Sequence, residues 1–250
     1  MYSWRVLRTL AGLLLCLPIV HVAVILAAGL DRYLDPSPEA WKQSLEEIIE
    51  ADMTTSLPED PVLVVGGQRV RLWKDLPARL SPLPTLLRPL GDATIEDIGY
   101  FYDRLIGYYQ PRVLVIFPGY GDLHLRDSKS PQDFRAAVAK LLAIDESYGT
   151  RTQRVLIVPL MTPLHPGDDE RIGAMADIAA ALEAEHPNLV SIDPNGLLQG
   201  QNGRPDPAYF QSDGINLNSA GYARVSFLLE ERVRELAATA ADRRQDRLTQ

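Results

Sequence analysis

Cysteine is almost absent. The one thiol, Cys16, has no partner for an internal disulfide, so no disulfide framework holds this chain and cysteine usage assigns no redox compartment. Acidic residues are missing from residues 1–30, where Arg5 and Arg8 are the charged groups. The remaining chain therefore carries 23 basic against 33 acidic groups, a net −10 within an overall −8. A body short of positive charge excludes nucleic acid as the main partner, because phosphate binding requires a basic surface. It also disfavours docking of that body on anionic lipid. Internal repeats and low-complexity tracts are lacking too. What remains, 46% hydrophobic and 23% charged over 250 residues, is an ordinary globular composition with length for one domain and a buried core.

One long apolar run is present. Residues 9–30 hold no formally charged side chain, and about twenty apolar residues suffice to cross a bilayer as a helix. Pro18 and His21 interrupt the run, and proline is tolerated in membrane helices. Arg5 and Arg8 before it and Asp31 after it predict a cytoplasmic N-terminus. The expectation is a single-pass anchor at residues 1–30 that tethers the chain to the cell membrane. The main domain then lies outside the cytoplasm, in the periplasm if the source is bacterial. A cleaved signal peptide ending near Ala27-Ala28-Gly29 is the competing expectation, but a secretory core runs only ~7–15 residues.

Residues 31–60 read as a polar linker with a short helix, broken at Asp35-Pro36-Ser37-Pro38 and Leu57-Pro58-Glu59-Asp60. Residues 61–238 read as the globular domain and 239–250 as a charged tail. Val62-Leu63-Val64-Val65 predicts a buried strand closed by Gly66-Gly67, and Thr85-Leu86-Leu87 a weaker one. Residues 112–117 and 154–160 are two further apolar runs, and residues 189–192 a shorter strand. Helical spacing over residues 94–109 puts Ile95, Ile98, Tyr102, Leu105 and Tyr109 on one face, with Thr94 and Asp97 placed as a capping pair. Ser130-Pro131 opens a second helix whose stripe is Phe134, Ala137, Val138, Leu141 and Leu142. Helices over residues 168–185 and 218–238 complete the set. Strands alternating with helices imply an α/β fold with a mostly parallel sheet in a three-layer α/β/α, flavodoxin-like sandwich. Ligands in such folds sit at the carboxyl ends of the strands.

The loops at those ends read Gly66-Gly67-Gln68-Arg69-Val70-Arg71-Leu72-Trp73, Gly91-Asp92-Ala93-Thr94, Gly119-Tyr120-Gly121-Asp122-Leu123 and the block from Ser212 through Asp213-Gly214-Ile215-Asn216 to Tyr222. Taken together they resemble the SGNH, or GDSL-type, esterase and lipase superfamily. The chain looks most similar to the branch of the platelet-activating-factor acetylhydrolase catalytic subunit, over about residues 61–236. That resemblance implies acyl transfer. A serine after the first strand attacks an ester carbonyl, a histidine three residues after an aspartate takes its proton, and donors in the second and third blocks hold the oxyanion.

This chain departs from that pattern at most of the reacting positions. The nucleophile position is Gln68, flanked by Gly67 and Arg69 and not by serine. The base position is Asn216, which cannot accept a proton near neutral pH. The oxyanion asparagine position is Gly121, and the second-block glycine is Gly91 or falls at Asp92. Only Asp213 survives from the triad. In a serine protease, loss of the nucleophile or base costs roughly a millionfold in rate, about 8 kcal/mol of barrier. The reading is an esterase-like pseudoenzyme that binds a ligand or partner of the cell envelope such as an acylated glycan or lipid. The alternative is an active ester hydrolase or acyltransferase whose base has moved to His124 or His165, acting on Ser128, Thr162 or a water. Neither a cofactor nor a metal is called for. Asp168-Asp169-Glu170 reads as helix N-terminal charge favoured by the dipole, and Asp213 as a turn cap.

Overall fold

A computed structural model of the chain describes residues 4–34, 37–149 and 152–248; along the first helix the side chains described without a break are those of residues 12–25. Two compact units emerge, Met1–Ala40 and Trp41–Gln250. The first carries α1 (Trp4–Leu34), which has Pro18 inside it. The transmembrane helix expected here is not borne out. Among the described residues no helix is long and apolar enough to cross a membrane. The single-pass membrane localisation loses its support with that helix. Asp35 and Pro36 of the first expected chain break lie outside the described residues.

The second unit is built on five parallel strands: β1 (Val62–Gly66), β2 (Thr85–Pro89), β3 (Val113–Phe117), β4 (Gln153–Ile157) and β5 (Leu189–Ile192). They lie in the order β2-β1-β3-β4-β5. Val64 faces Leu87 on one side and Val115 on the other. Central strands buried on both faces must be apolar at every position, which is why β1 and β3 read as continuous valine, leucine and isoleucine. Successive side chains alternate between faces. Leu63, Val65, Leu114, Ile116 and Leu156 enter one core with α2 (Lys42–Met53), α5 (Ile95–Tyr100), α6 (Tyr102–Leu105), α7 (Pro131–Ser147) and α8 (Asp169–Glu185). Val62, Val64, Val115 and Val155 enter the other with α3 (Gln68–Leu72), α4 (Leu76–Arg79) and α9 (Ser219–Leu248).

Both predicted helix starts are capping boxes. Thr94 and Asp97 exchange side-chain and backbone hydrogen bonds at α5, and Ser130 and Asp133 do so at α7 with Pro131 in the first turn. The single helix expected over residues 94–109 is instead α5, α6 and a 3-10 turn at Gly107–Tyr109. Its predicted face survives the breaks, because Ile95, Ile98, Tyr102, Leu105 and Tyr109 are all buried. The short helix expected within a polar linker is α2, and Trp41 and Leu45 belong to the core of the sheet. At the other end α9 runs on to Leu248, through most of the segment read as a charged tail, whose last two residues lie outside the described ones.

Candidate functional site

The chain passes from β1 outward to β2 and returns to β3 on the other side, so the strand order reverses beside the carboxyl end of β1. Ligand crevices form at such a switch point. Three loops meet there so closely that glycine is required. A Cβ on Gly67 would lie 2.9 Å from the Gly91 carbonyl oxygen, and one on Gly121 only 1.9 Å from that of Asp92. Gly91 itself has φ +54, and a Cβ there would fall 2.0 Å from the Trp41 ring. The sequence positions matched to the nucleophile and oxyanion blocks therefore do converge, backbone against backbone.

Gln68 is the first residue of α3 and half-buried, and its amide makes no hydrogen bond among the described residues. Asp213 accepts from the backbone N–H groups of Ile215 and Asn216 at 2.8 and 2.9 Å, the turn cap expected of it. Its second oxygen accepts from Asn216 Nδ2 at 2.7 Å. An amide thus stands hydrogen-bonded to the aspartate where a histidine would be. Partial burial would raise the Asp213 carboxyl, but these three bonds and the charge of Arg69 outweigh it and hold the group below the usual range.

Arg69 is the residue whose role the sequence understated. Its side chain is 1% exposed. Nη2 reaches the Ile215 carbonyl at 3.4 Å, while Nε and Nη1 are buried without a partner among the described residues. Burial brings this guanidinium down to about 10, against the opposing pull of Tyr222, Asp92, Asp213 and Tyr120. Arg71, by contrast, is exposed. Trp73, from the same block, packs against Phe117 and Tyr222 and donates to Ser226 at 3.1 Å, so it is a core residue.

The two loop histidines lie together. Their rings stack at 3.9 Å, 18° apart, with Tyr120 stacked on His124 at 5.0 Å. His165 Nε2 lies 2.5 Å from the Tyr120 hydroxyl oxygen, and His124 Nε2 lies 2.5 Å from Asp168, which also accepts from Arg171 at 2.8 Å. Asp168 is therefore a histidine partner, and it makes no side-chain cap to its helix. Burial and the neighbouring His124 hold His165 below the usual imidazole value. Burial, reinforced by Asp168, lifts Tyr120. Ser128 and Thr162, the hydroxyls proposed for a relocated base, are not the ones brought to these rings. Ser128 accepts from Arg171, and Thr162 is buried. The tyrosine was missed, although it stands in the Gly119-Tyr120-Gly121 block; pairing across 45 residues leaves no local signal.

Beside Gly121, Asp122 accepts from the Ile95 N–H at 3.0 Å and faces Lys129 Nζ at 3.6 Å. Burial dominates and pushes this carboxyl up to about 7. Lys129 stays charged, because Asp122, Asp127 and Glu96 outweigh the effect of its burial. A carboxyl that binds its proton more tightly when folded stabilises the fold at low pH and loses that contribution as pH rises toward its folded value. Stability should therefore decline from about pH 4 to about pH 7 through this group. Asp122→Asn should flatten that slope in urea unfolding followed across pH. Carboxyl NMR placing Asp122 near an ordinary aspartate value would refute the assignment.

Among the described residues no group of three histidine, cysteine, aspartate or glutamate side chains is arranged to hold a metal ion. No protein-family model matches the sequence. No curated protein matches it either. Solved structures do match. A GDSL-like lipase from Bacteroides thetaiotaomicron is similar at TM-score 0.63 and 16% identity, over 76% of this chain and 97% of that one. A lipase/acylhydrolase from Enterococcus faecalis is similar at TM-score 0.55 and 20% identity, over 72% and 96%. A catalytic mutant of an acetylxylan esterase from Geobacillus stearothermophilus is similar at TM-score 0.55 and 13% identity, over 70% and 95%. With the five parallel strands and the converging glycine loops, these likenesses establish that the fold of this chain is that of the SGNH/GDSL hydrolase-type superfamily.

Proposed function

We propose that this chain is an esterase-like binding protein that holds an acylated glycan at the carboxyl edge of its sheet without hydrolysing it. The observation that carries the reading is the Asn216 amide bonded to Asp213 at 2.7 Å. The aspartate orients a group that cannot take a proton, and the nucleophile position holds Gln68, which cannot form a hydrolysable acyl intermediate. What the edge does offer is polar recognition. The Gln68 amide and the buried Nε and Nη1 of Arg69 are donors without partners among the described residues, and an unpaired buried donor costs about 1–3 kcal/mol until something accepts from it. The similarity to an acetylxylan esterase suggests the acetylated sugar as the class to try first.

Two measurements on the full chain test this. Turnover of 4-nitrophenyl acetate should not exceed that of Asp213→Ala, since a missing nucleophile or base costs roughly a millionfold. Acetylated xylo-oligosaccharide should bind by calorimetry and lose about tenfold in affinity in Gln68→Ala, the worth of one good polar contact. Asp213-dependent turnover, or no binding of the oligosaccharide, would reject the proposal.

A second reading, a hydrolase or acyltransferase with a relocated base, rests on His165 Nε2 at 2.5 Å from the Tyr120 hydroxyl. Its weakness is that the Asp168 carboxylate bonds the His124 ring, so among the described residues no carboxylate bonds the imidazole that faces the hydroxyl. That reading requires turnover that disappears in both His165→Ala and Tyr120→Phe.

A further inference from the structure

A cavity of about 270 Å3 opens away from the ligand-binding edge, lined by Ile49, Asp52, Met53, Arg104, Tyr108 and Tyr109. Tyr108 and Tyr109 precede β3, whereas the loops of the candidate site follow the strands. Its size approaches the roughly 300 Å3 at which small-molecule sites begin. Met53 is 80% exposed and Tyr108 69% exposed, so two large apolar side chains stand in solvent around the opening. An apolar ligand body would remove them from water.

The charges of the cavity do not cancel. At its floor, Asp52 accepts from Arg88 Nη2 at 2.7 Å and from the Tyr109 hydroxyl, while Arg88 also donates to that hydroxyl at 2.9 Å and lies over the Tyr109 ring. The carboxylate is therefore spoken for by Arg88. Arg104 is exposed on α6 and makes no ion pair among the described residues, so the charge left unanswered in the lining is positive. We infer that this cavity binds an amphiphilic monoanion, an alkyl carboxylate whose chain lies against Ile49, Met53 and Tyr108 and whose head pairs with Arg104. The site is separate from the glycan-binding edge and does not depend on it.

Octanoate is the probe, added to the full chain with 13C-labelled methionine methyls. Met53 lines the cavity and Met161 follows β4 at the other edge, so the two methyls report on the two places independently. Octanoate should shift the Met53 signal and leave Met161 in place. Arg104→Gln should weaken octanoate by about tenfold, the worth of a partly exposed charge-assisted contact, and leave octanol binding unchanged. Tyr108→Ala should weaken both. The inference fails if octylammonium binds as tightly as octanoate, if Arg104→Gln has no effect, or if Met161 shifts in place of Met53.

Discussion

Replacing Gly121 by asparagine should unfold the site instead of restoring an oxyanion donor. The new Cβ would sit 1.9 Å from the Asp92 carbonyl oxygen, which belongs to backbone and cannot swing aside as a side chain would. Relief requires moving the loop after β2 or the loop after β3. The first is pinned from below by Trp41 and the second by the Asp122 bond to Ile95. Overpacking of this kind costs about 3 kcal/mol at the upper end of the usual range. For a domain of this size that lowers the melting temperature by about 6–12 °C. Leu125→Asn, in the same loop and exposed, is the control and should melt near the wild type. A Gly121→Asn protein that melts with the wild type would show that the three loops are looser than their contacts imply. The wider consequence is that Gln68→Ser with Asn216→His would not rebuild a three-block hydrolase site, because the backbone now fills the space of the third donor.

Asp145→Ala should cost roughly 3–5 kcal/mol, the usual penalty for breaking a buried ion pair. Asp145 and Arg154 have side chains 1% and 3% exposed. Arg154 Nε donates to Asp145 at 2.6 Å, and the Tyr102 hydroxyl donates to the same carboxylate. Without it, among the described residues a guanidinium on β4 keeps only Glu146, at 3.6 Å and half-exposed, and Tyr102 loses its acceptor. Chemical denaturation measures the loss directly. Asp145→Leu combined with Arg154→Met removes both charges and should recover most of it. Failure of the double variant to exceed Asp145→Ala would mean that the triad contributes through packing and not through charge.

Much of the scaffold was legible because its signals are local. Strands covered on both faces must be continuous apolar runs, and β1 and β3 are; capping pairs announce helix starts, and Thr94 and Ser130 do. The order of the glycine loops was legible for the same reason. What could not be read is whatever depends on distant partners. The helix breaks near Phe101, and Tyr102 just after the break meets Asp145 on α7, 43 residues away. The burial of Lys129 contradicts its hydrophilicity and shows only once Glu96 and Asp122 reach it from other elements, and that of Arg69 only once the Ile215 loop lies against it. His124 and His165 were named by position as alternative bases, but their stacking, and the choice of Asp168 for one and Tyr120 for the other, belongs to the folded chain.

Trp41 has a consequence for where this domain begins. Its ring fills the space beneath Gly91, its Nε1 donates to Asp97 at 3.1 Å, and the Arg126 guanidinium lies over it at 5.1 Å. One side chain, twenty residues ahead of the first strand, thus touches the loop after β2, the start of α5 and the segment after β3. It acts as a keystone set from outside the alternating strands and helices. A chain trimmed to begin at Pro61 would keep every strand and every glycine loop, yet it would leave the arch of the ligand edge without the wedge that closes it.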